Sequence, residues 1–372
     1  MKTGFAMVME EPQKPLVKKE FPLPTPKEGE LLVEVVQTNI CGSDLHLFKG
    51  EMAPGFPKDV ILGHEMAARV VEIGPGAETD SNGTPLKPGD EIAFRYFEPC
   101  MHCGSCARGR YNQCLTSLAS VLRPASVAPH FVGGFATHYL VTRNRTRFKL
   151  PEGVSAKLAA GATCALSQVL YGITKADLKP LESVVIQGCG GLGLYAVALA
   201  KHLGAHPVIA IDMHPSRLEA AKSFGADFVV NASEITEPKE RTKAVMDLTQ
   251  GWGGDLVIEV VGRASVIPEG LRMLARGGRY LEMGSIVPRD YAKVDASILV
   301  GANQSIIGVS LYDDATLLKA LEFLKHTTAP VEKLVGQSFS LEQANDALQR
   351  ADALSKQAVN VSRVAICPHL ED

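Results

Sequence analysis

The chain has 372 residues, 46% hydrophobic and 21% charged, with a net charge of −3. That is the balance of a soluble globular protein long enough for two or three domains, each burying its own core. The absence of a basic stripe excludes nucleic acid as the main partner, and no stretch approaches the roughly 20 apolar residues that span a bilayer.

In the opening segment MKTGFAMVMEEPQKP the apolar run meets Glu10 too soon for a secretory signal. A cytoplasmic protein is therefore expected, with reduced cysteines, and clustered thiols there read as metal ligands before disulfides.

Residues 1–150 read as β-rich. ELLVEVVQTNI (30–40) alternates apolar with polar, AARVVEIG and DEIAFRYF have strand composition, and LKPGDE places Pro and Gly to reverse the chain. Short strands between turn signals predict a barrel or sandwich with inserted loops. Within this region NICGSDLHLF offers Cys41, Ser43, Asp44 and His46, and LGHEM offers His64 and Glu65. Further on, CMHCGSCARGRYNQC carries Cys100, Cys103, Cys106 and Cys114 in the pattern C-x2-C-x2-C-x7-C. Thiolates two residues apart can grip one ion, and four of them close its tetrahedron, which describes a structural zinc. Ferredoxin-type runs begin with the same spacing, so an iron–sulfur cluster also fits, although nothing else in the chain suggests electron transfer.

From about residue 155 the texture changes. SAKLAAGATCALSQVLYGI is helical in period and contains Cys164. SVVIQ, PVIAID, ADFVVNAS, DLVIEVVG and RYLEMGS then follow at intervals filled by helical stretches. Buried apolar strands alternating with helices predict a parallel doubly wound sheet. After SVVIQ comes Gly188-Cys189-Gly190-Gly191-Leu192-Gly193, a G-x-G-x-x-G between strand and helix. Its first glycine makes a tight turn, the second admits a pyrophosphate, and the third lets helix pack on strand. The phosphates then face the positive end of that helix. PVIAID ends in Asp212, nineteen residues after Gly193, where a carboxylate accepts bonds from the adenosine ribose and repels a 2′-phosphate. NAD is favoured over NADP, and Arg217, five residues on, softens the preference. SIIGVS, two amphipathic helices in DATLLKALEFLKHT and SLEQANDALQRADA, and a last strand AVNVSRVAI complete the chain.

Two thiolates and one imidazole are the protein ligands of a catalytic zinc with an open fourth position. The order C-G-S-D-x-H, G-H-E, four-cysteine lobe, GGFATHY, G-x-G-x-x-G and acidic residue resembles the zinc-dependent medium-chain alcohol dehydrogenase family, from about residue 25 to 365. The resemblance implies an α/β fold, with a GroES-like β-barrel catalytic domain of residues 1–155 and 310–372 bearing the structural zinc lobe. A doubly wound Rossmann domain fills residues 156–309. It also implies that Cys41, His64 and Cys164 hold the catalytic zinc, with Glu65 beside the metal as an alternate ligand. Asp44 orients His64, and Ser43 and His46 form the proton relay. Two zinc ions per chain, NAD, a small alcohol or carbonyl substrate and a dimeric or tetrameric homo-oligomer follow from the same likeness. The chain departs from the family at Ala68, where glycine is usual. Gly42 follows the first ligand as in polyol dehydrogenases, yet those usually carry an acidic third ligand where this chain has Cys164. The implied activity is hydride transfer between an alcohol, secondary or polyol, and NAD. Its rivals are a zinc-free quinone or enone reductase, which lacks this ligand set, and a non-catalytic NAD-binding protein.

Overall fold

The computed structural model describes residues 2–52, 58–357 and 363–370. Two sheets organise them. In the first, Leu31–Asn39 lies at the centre, antiparallel to Glu65–Ile73 on one side. On its other side it pairs with His138–Val141 near its start and with Arg363–Ile366 near its end. Glu91–Phe94 and Arg147–Lys149 extend one flank, and Val335–Phe339 the other. A separate three-stranded sheet joins Val17–Pro22, Thr3–Met9 and Val60–Ile61. Alternation along Leu31–Asn39 does not mean a solvated face. Gln37, Thr38 and Asn39 are buried, and Gln37 Nε2 donates to Asn39 Oδ1 at 2.9 Å, which pairs two of these polar side chains inside.

The second sheet is parallel throughout, in the order Phe228–Asn231, Val208–Asp212, Val184–Gln187, Gly254–Glu259, Leu274–Glu282, Ser305–Gly308. This 3-2-1-4-5-6 arrangement is that of a doubly wound dinucleotide fold, with its switch point beside the central strand Val184–Gln187. Val184, Val185 and Ile186 are all fully buried, as a strand covered on both faces requires.

One predicted helix is broken. The helical period of SAKLAAGATCALSQVLYGI is interrupted at Cys164, where φ is −139° and ψ −86°. A short helix Ala156–Ala159 and a 3-10 turn Ala160–Thr163 precede the break, and Ala165–Lys175 follows it. Thr163 is the anchor: its Oγ1 accepts the N–H of Met66 at 3.0 Å, and Tyr312 OH donates to its carbonyl. Tertiary bonds to the first sheet thus override local helix propensity.

Of the C-terminal elements, Asp314–His326 packs Leu317 and Leu321 into the core shared with Leu166 and Val169. Ala344–Gln357 places Ala347 and Leu348 against Met7, Val364 and Ile366. The predicted last strand is seen as Arg363–Ile366; positions 358–362 of that segment lie outside the described residues. Among the described residues, no helix is long and apolar enough to cross a membrane.

Candidate metal centres and cofactor cleft

Register brings the first ligands together. Asn39 pairs with Glu65, so Cys41, two residues beyond one strand, and His64, one before the other, emerge side by side. Cys41 caps the helix Gly42–Phe48, and its N–H donates to Asp44 Oδ2 at 2.9 Å. Asp44 Oδ1 accepts the N–H of Gly63 at 3.0 Å and faces His64 Nδ1 at 3.2 Å. With Nδ1 so engaged, Nε2 of His64 is the ring nitrogen turned toward the thiols. The break at Cys164 turns its sulfur inward, and one donor atom from each of Cys41, His64 and Cys164 lies within 4.8 Å of the others.

The three groups bias one another's protonation. Hydrogen bonding from Cys164 holds the Cys41 thiol well below its usual range, helped by His64. Cys164, the donor of that bond and buried, is pushed well above it. Burial lowers the His64 imidazole, but the charge and hydrogen bond of Asp44, with those of Cys41, outweigh it and raise the group. Zinc binding demands thiolates and a neutral imidazole, so a divalent ion displaces these protons. Two soft sulfurs and one nitrogen, three protein donors in all, fit a catalytic zinc.

Ser43, His46 and Glu65, the other predicted residues of the C-G-S-D-x-H and G-H-E motifs, take separate places. Ser43 Oγ lies 3.3 Å from His64 Nε2, on the metal side of the ring. His46, one turn further along the helix, has Nδ1 2.6 Å from Glu51 Oε2 at the surface. Glu65 does not join the three donors. Its carboxylate binds Arg363 and accepts the N–H of Ala165 at 3.3 Å; burial raises it to about 7, against the pull of Arg363. The Tyr96 ring packs on His64 at 4.8 Å between centroids, while Leu47 and Phe48 pack against the core around Met7 and Leu348.

Cys100, Cys103, Cys106 and Cys114 also converge within 4.8 Å. The separations of 3.6 Å for Cys103–Cys106 and 3.9 Å for Cys103–Cys114 bracket the edge of about 3.8 Å that Zn–S bonds of about 2.3 Å give a tetrahedron. Four sulfurs this close are spaced to surround one ion. A multi-iron cluster would spread them over separate irons. The backbone N–H groups of Cys106 and Leu115 lower the Cys103 thiol to about 6, while burial lifts Cys106 to about 11.

At the glycine turn, Gly188 has φ +98°. A Cβ on Gly193 would stand 1.9 Å from the Gly188 carbonyl oxygen, so close helix–strand packing requires glycine there. Gly190 has no atom within 4 Å of its Cβ position and faces open space. Gly190 caps the helix Gly191–His202, with Leu192 half-buried in its first turn. Asp212, at the end of its strand, accepts N–H groups from Cys189 at 2.8 Å and His214 at 2.9 Å. Arg217 Nη1 lies 3.6 Å from the same carboxylate.

Arg363 is the site residue that sequence reasoning missed. Because Ala365 pairs with Asn39, Arg363 falls opposite Cys41. Its guanidinium joins Glu65, lies over the Tyr195 ring at 5.8 Å, and would be struck at 2.3 Å by a Cβ on Gly191. One cation therefore touches both the metal neighbourhood and the start of the cofactor helix. The only signal for it was a charge inside an apolar strand. Glu51, the partner of His46, was also missed, since it lies beyond the helix that carries the motif.

Comparison with known proteins agrees with this geometry. Residues 27–152 match the alcohol dehydrogenase GroES-like domain, and residues 191–326 match the zinc-binding dehydrogenase family. The chain is 32% identical to a 5-exo-hydroxycamphor dehydrogenase of Pseudomonas putida, over 92% of this chain and 94% of that protein. It is 29% identical to a sorbitol dehydrogenase of Bacillus subtilis, covering 92% of each. An alcohol dehydrogenase structure from Thermotoga maritima superposes with a TM-score of 0.90 at 33% identity, over 99% of this chain and 100% of that one. A GroES-like unit joined to a dinucleotide fold, with two thiol-rich groups spaced to hold a metal, one of them completed by Cys164 beyond that unit, places this chain in the zinc-dependent medium-chain alcohol dehydrogenase family.

Proposed function

We propose that the enzyme interconverts a secondary alcohol or polyol and its carbonyl, with Cys41, His64 and Cys164 holding the catalytic zinc. The observation that carries this reading is the Ser43 hydroxyl, 3.3 Å from His64 Nε2, beside the open face of a Cys–His–Cys set. Bound zinc supplies a Lewis acid for the substrate oxygen, and bound NAD accepts the hydride. Ser43 takes the substrate hydroxyl proton and passes it toward His46, whose bond to Glu51 keeps it at the surface, where it exchanges with solvent. Asp44 orients His64, and the Tyr96 ring packs on the same imidazole. The glycine turn and the N-terminus of Gly191–His202 receive the pyrophosphate, and Asp212 the adenosine ribose. Serine is small, which leaves room for a second substituent on the reacting carbon. Relatives named for hydroxycamphor, sorbitol and erythritol support such substrates.

Residues 1–155 and 310–372 form the catalytic unit in this reading, and 156–309 the cofactor unit; the return of Arg363–Ile366 to the first sheet supports it. We place the enzyme in the cytosol, consistent with eight free cysteines. A homodimer or tetramer is supported by the edge strand Ser305–Gly308 and the helix Ala296–Ala302, which buries none of its residues and exposes Val300.

The test is a panel of primary alcohols, secondary alcohols, polyols and aldehydes with NAD and NADP, followed at the reduced-nicotinamide band. Secondary alcohols should outperform primary ones of equal carbon count. A clear preference for ethanol over 2-propanol and 2-butanol rejects the substrate class, and no turnover with any of them favours a non-catalytic NAD-binding protein.

A further inference from the structure

Two carboxylates meet at a place the reaction above leaves unused. Glu259 ends the strand Gly254–Glu259, Glu282 ends Leu274–Glu282, and the two are paired in register. Partners across a parallel ladder point to the same face, so the two carboxyls stand side by side on neighbouring strands. Glu259 is fully buried. Its Oε1 accepts the N–H groups of Val261 at 2.6 Å and Gly262 at 2.8 Å. Glu282 Oε1 accepts those of Gly284 at 3.2 Å and Ser285 at 3.0 Å. The Oε2 atom of each is buried and has no donor. Two ionised carboxylates at this range repel, whereas one proton between the free oxygens turns the contact into a hydrogen bond.

Each carboxyl caps the loop that follows its own strand, and the two loops touch. A Cβ on Gly262 would lie 2.8 Å from the Gly284 carbonyl oxygen, and one on Gly284 would lie 2.5 Å from Glu259 Oε2. The first loop also leans on the glycine turn, since a Cβ on Gly188 would stand 3.1 Å from Val261 N. A dinucleotide crosses the carboxyl ends of such a sheet. Asp212 marks the adenosine half on the second strand, so the ends of the fourth and fifth strands belong to the nicotinamide half.

We propose that Glu259 and Glu282 are a positioning pair that shares one proton, clamps residues 260–262 against 283–285 beneath the nicotinamide half of the cofactor, and loosens cofactor binding when that proton is lost. This rests on the cofactor placement proposed above. Burial first, then Glu282, raises the Glu259 carboxyl to about 8, against the pull of the Val261 and Gly262 N–H groups. The pair is therefore protonated through neutral pH and opens above it. Of the groups packed around it, Tyr280 is kept neutral by burial and donates to Gln187 Oε1 at 2.9 Å. Glu269, on the helix Ile267–Met273, adds negative charge near Tyr280 but is itself bound by Arg241 at 2.6 Å.

The experiment measures the NADH dissociation constant of the zinc-loaded enzyme by fluorescence from about pH 6.5 to about pH 9.5, for wild type and Glu282→Gln. The amide that this substitution introduces donates to an ionised Glu259 at every pH, so the shared proton is no longer needed. The ratio of wild-type to variant constants should rise by about tenfold across the range, isolating the pair from other titrating groups. A constant ratio, with NADH bound normally at low pH, overturns the pair alone. Failure of the wild type to bind NADH at any pH rejects the cofactor placement, and the proposal with it. Infrared spectroscopy is a second readout that needs no variant to fold with wild-type stability. A protonated-carboxyl C=O band in the native wild type that disappears above about pH 8 is expected, and its absence at neutral pH overturns the shared proton.

Discussion

Asp44 Oδ1 stands 3.2 Å from His64 Nδ1, and the other oxygen of that carboxylate holds the N–H of Cys41 at 2.9 Å. One side chain thus fixes both the helix that presents a thiolate and the ring that presents a nitrogen. Asp44→Ala removes the orientation of His64 and the cap of Gly42–Phe48 together. Zinc affinity at the catalytic set should fall by about 10- to 100-fold, as read by competition with a chromogenic chelator, while the four-cysteine lobe keeps its ion.

The second and third glycines of the G-x-G-x-x-G motif should fail differently. Gly193→Ala drives a Cβ to 1.9 Å from a backbone oxygen, which only a shift of helix against strand relieves. A lower Tm is expected with or without cofactor. Gly190→Ala meets no atom within 4 Å, and its φ of −75° suits alanine. Its Tm should match wild type while NAD binding weakens at least tenfold, about 1.4 kcal/mol, because the methyl occupies the approach of the pyrophosphate. Calorimetry and titration separate the two, and an equal loss of Tm in both would refute the distinction.

Asp212 has two duties. It accepts the N–H groups of Cys189 and His214, and it is the proposed ribose acceptor. Asp212→Gly should lower efficiency with NAD and free Arg217, now 3.6 Å from the carboxylate, to meet a 2′-phosphate. The NAD over NADP efficiency ratio should fall at least tenfold, about 1.4 kcal/mol of differential transition-state binding. An unchanged ratio in steady-state kinetics means that Asp212 does not bind the ribose.

The two metal sites should separate under mutation. Cys164→Ser removes one ligand from an open set whose surroundings are packed: Thr163 is fully buried and bonded to Met66. Activity should vanish with little change in Tm. Cys106→Ser opens a closed set in a segment built of short 3-10 turns, whose order depends on its metal. This variant should lose one zinc per chain and melt lower, with surviving molecules partly active. An active, stable Cys164→Ser beside a stable, inactive Cys106→Ser would exchange the two assignments.

The cysteines and histidine that converge were legible because their chemistry is rare and their spacing carries meaning. Strand alternation and the glycine turn announced the two sheets in the same way. What escaped depended on register between distant segments. Arg363 meets Glu65 across 298 positions of sequence, and nothing local to SRVAI says where that strand will pair. The break at Cys164 was hidden for a related reason: an Ala- and Leu-rich period favours continuous helix, and distant partners interrupt it, Met66 and Tyr312 at Thr163 and Glu65 at Ala165. Glu259 and Glu282 look like ordinary strand ends until the parallel pairing sets them side by side.

The two ligand sets also differ in when they can exist. The lobe draws all its sulfurs from fifteen consecutive residues, so it can close on its ion while the ribosome is still making the rest. The other set spans Cys41 to Cys164 and leans, through Glu65, on Arg363, 249 residues beyond the last cysteine of the lobe. On the proposed assignment, a nascent chain therefore carries its structural metal long before it can assemble a reactive one. Translation itself delays the onset of activity, and a chain cut short before Arg363 would hold zinc in the lobe without the finished catalytic neighbourhood.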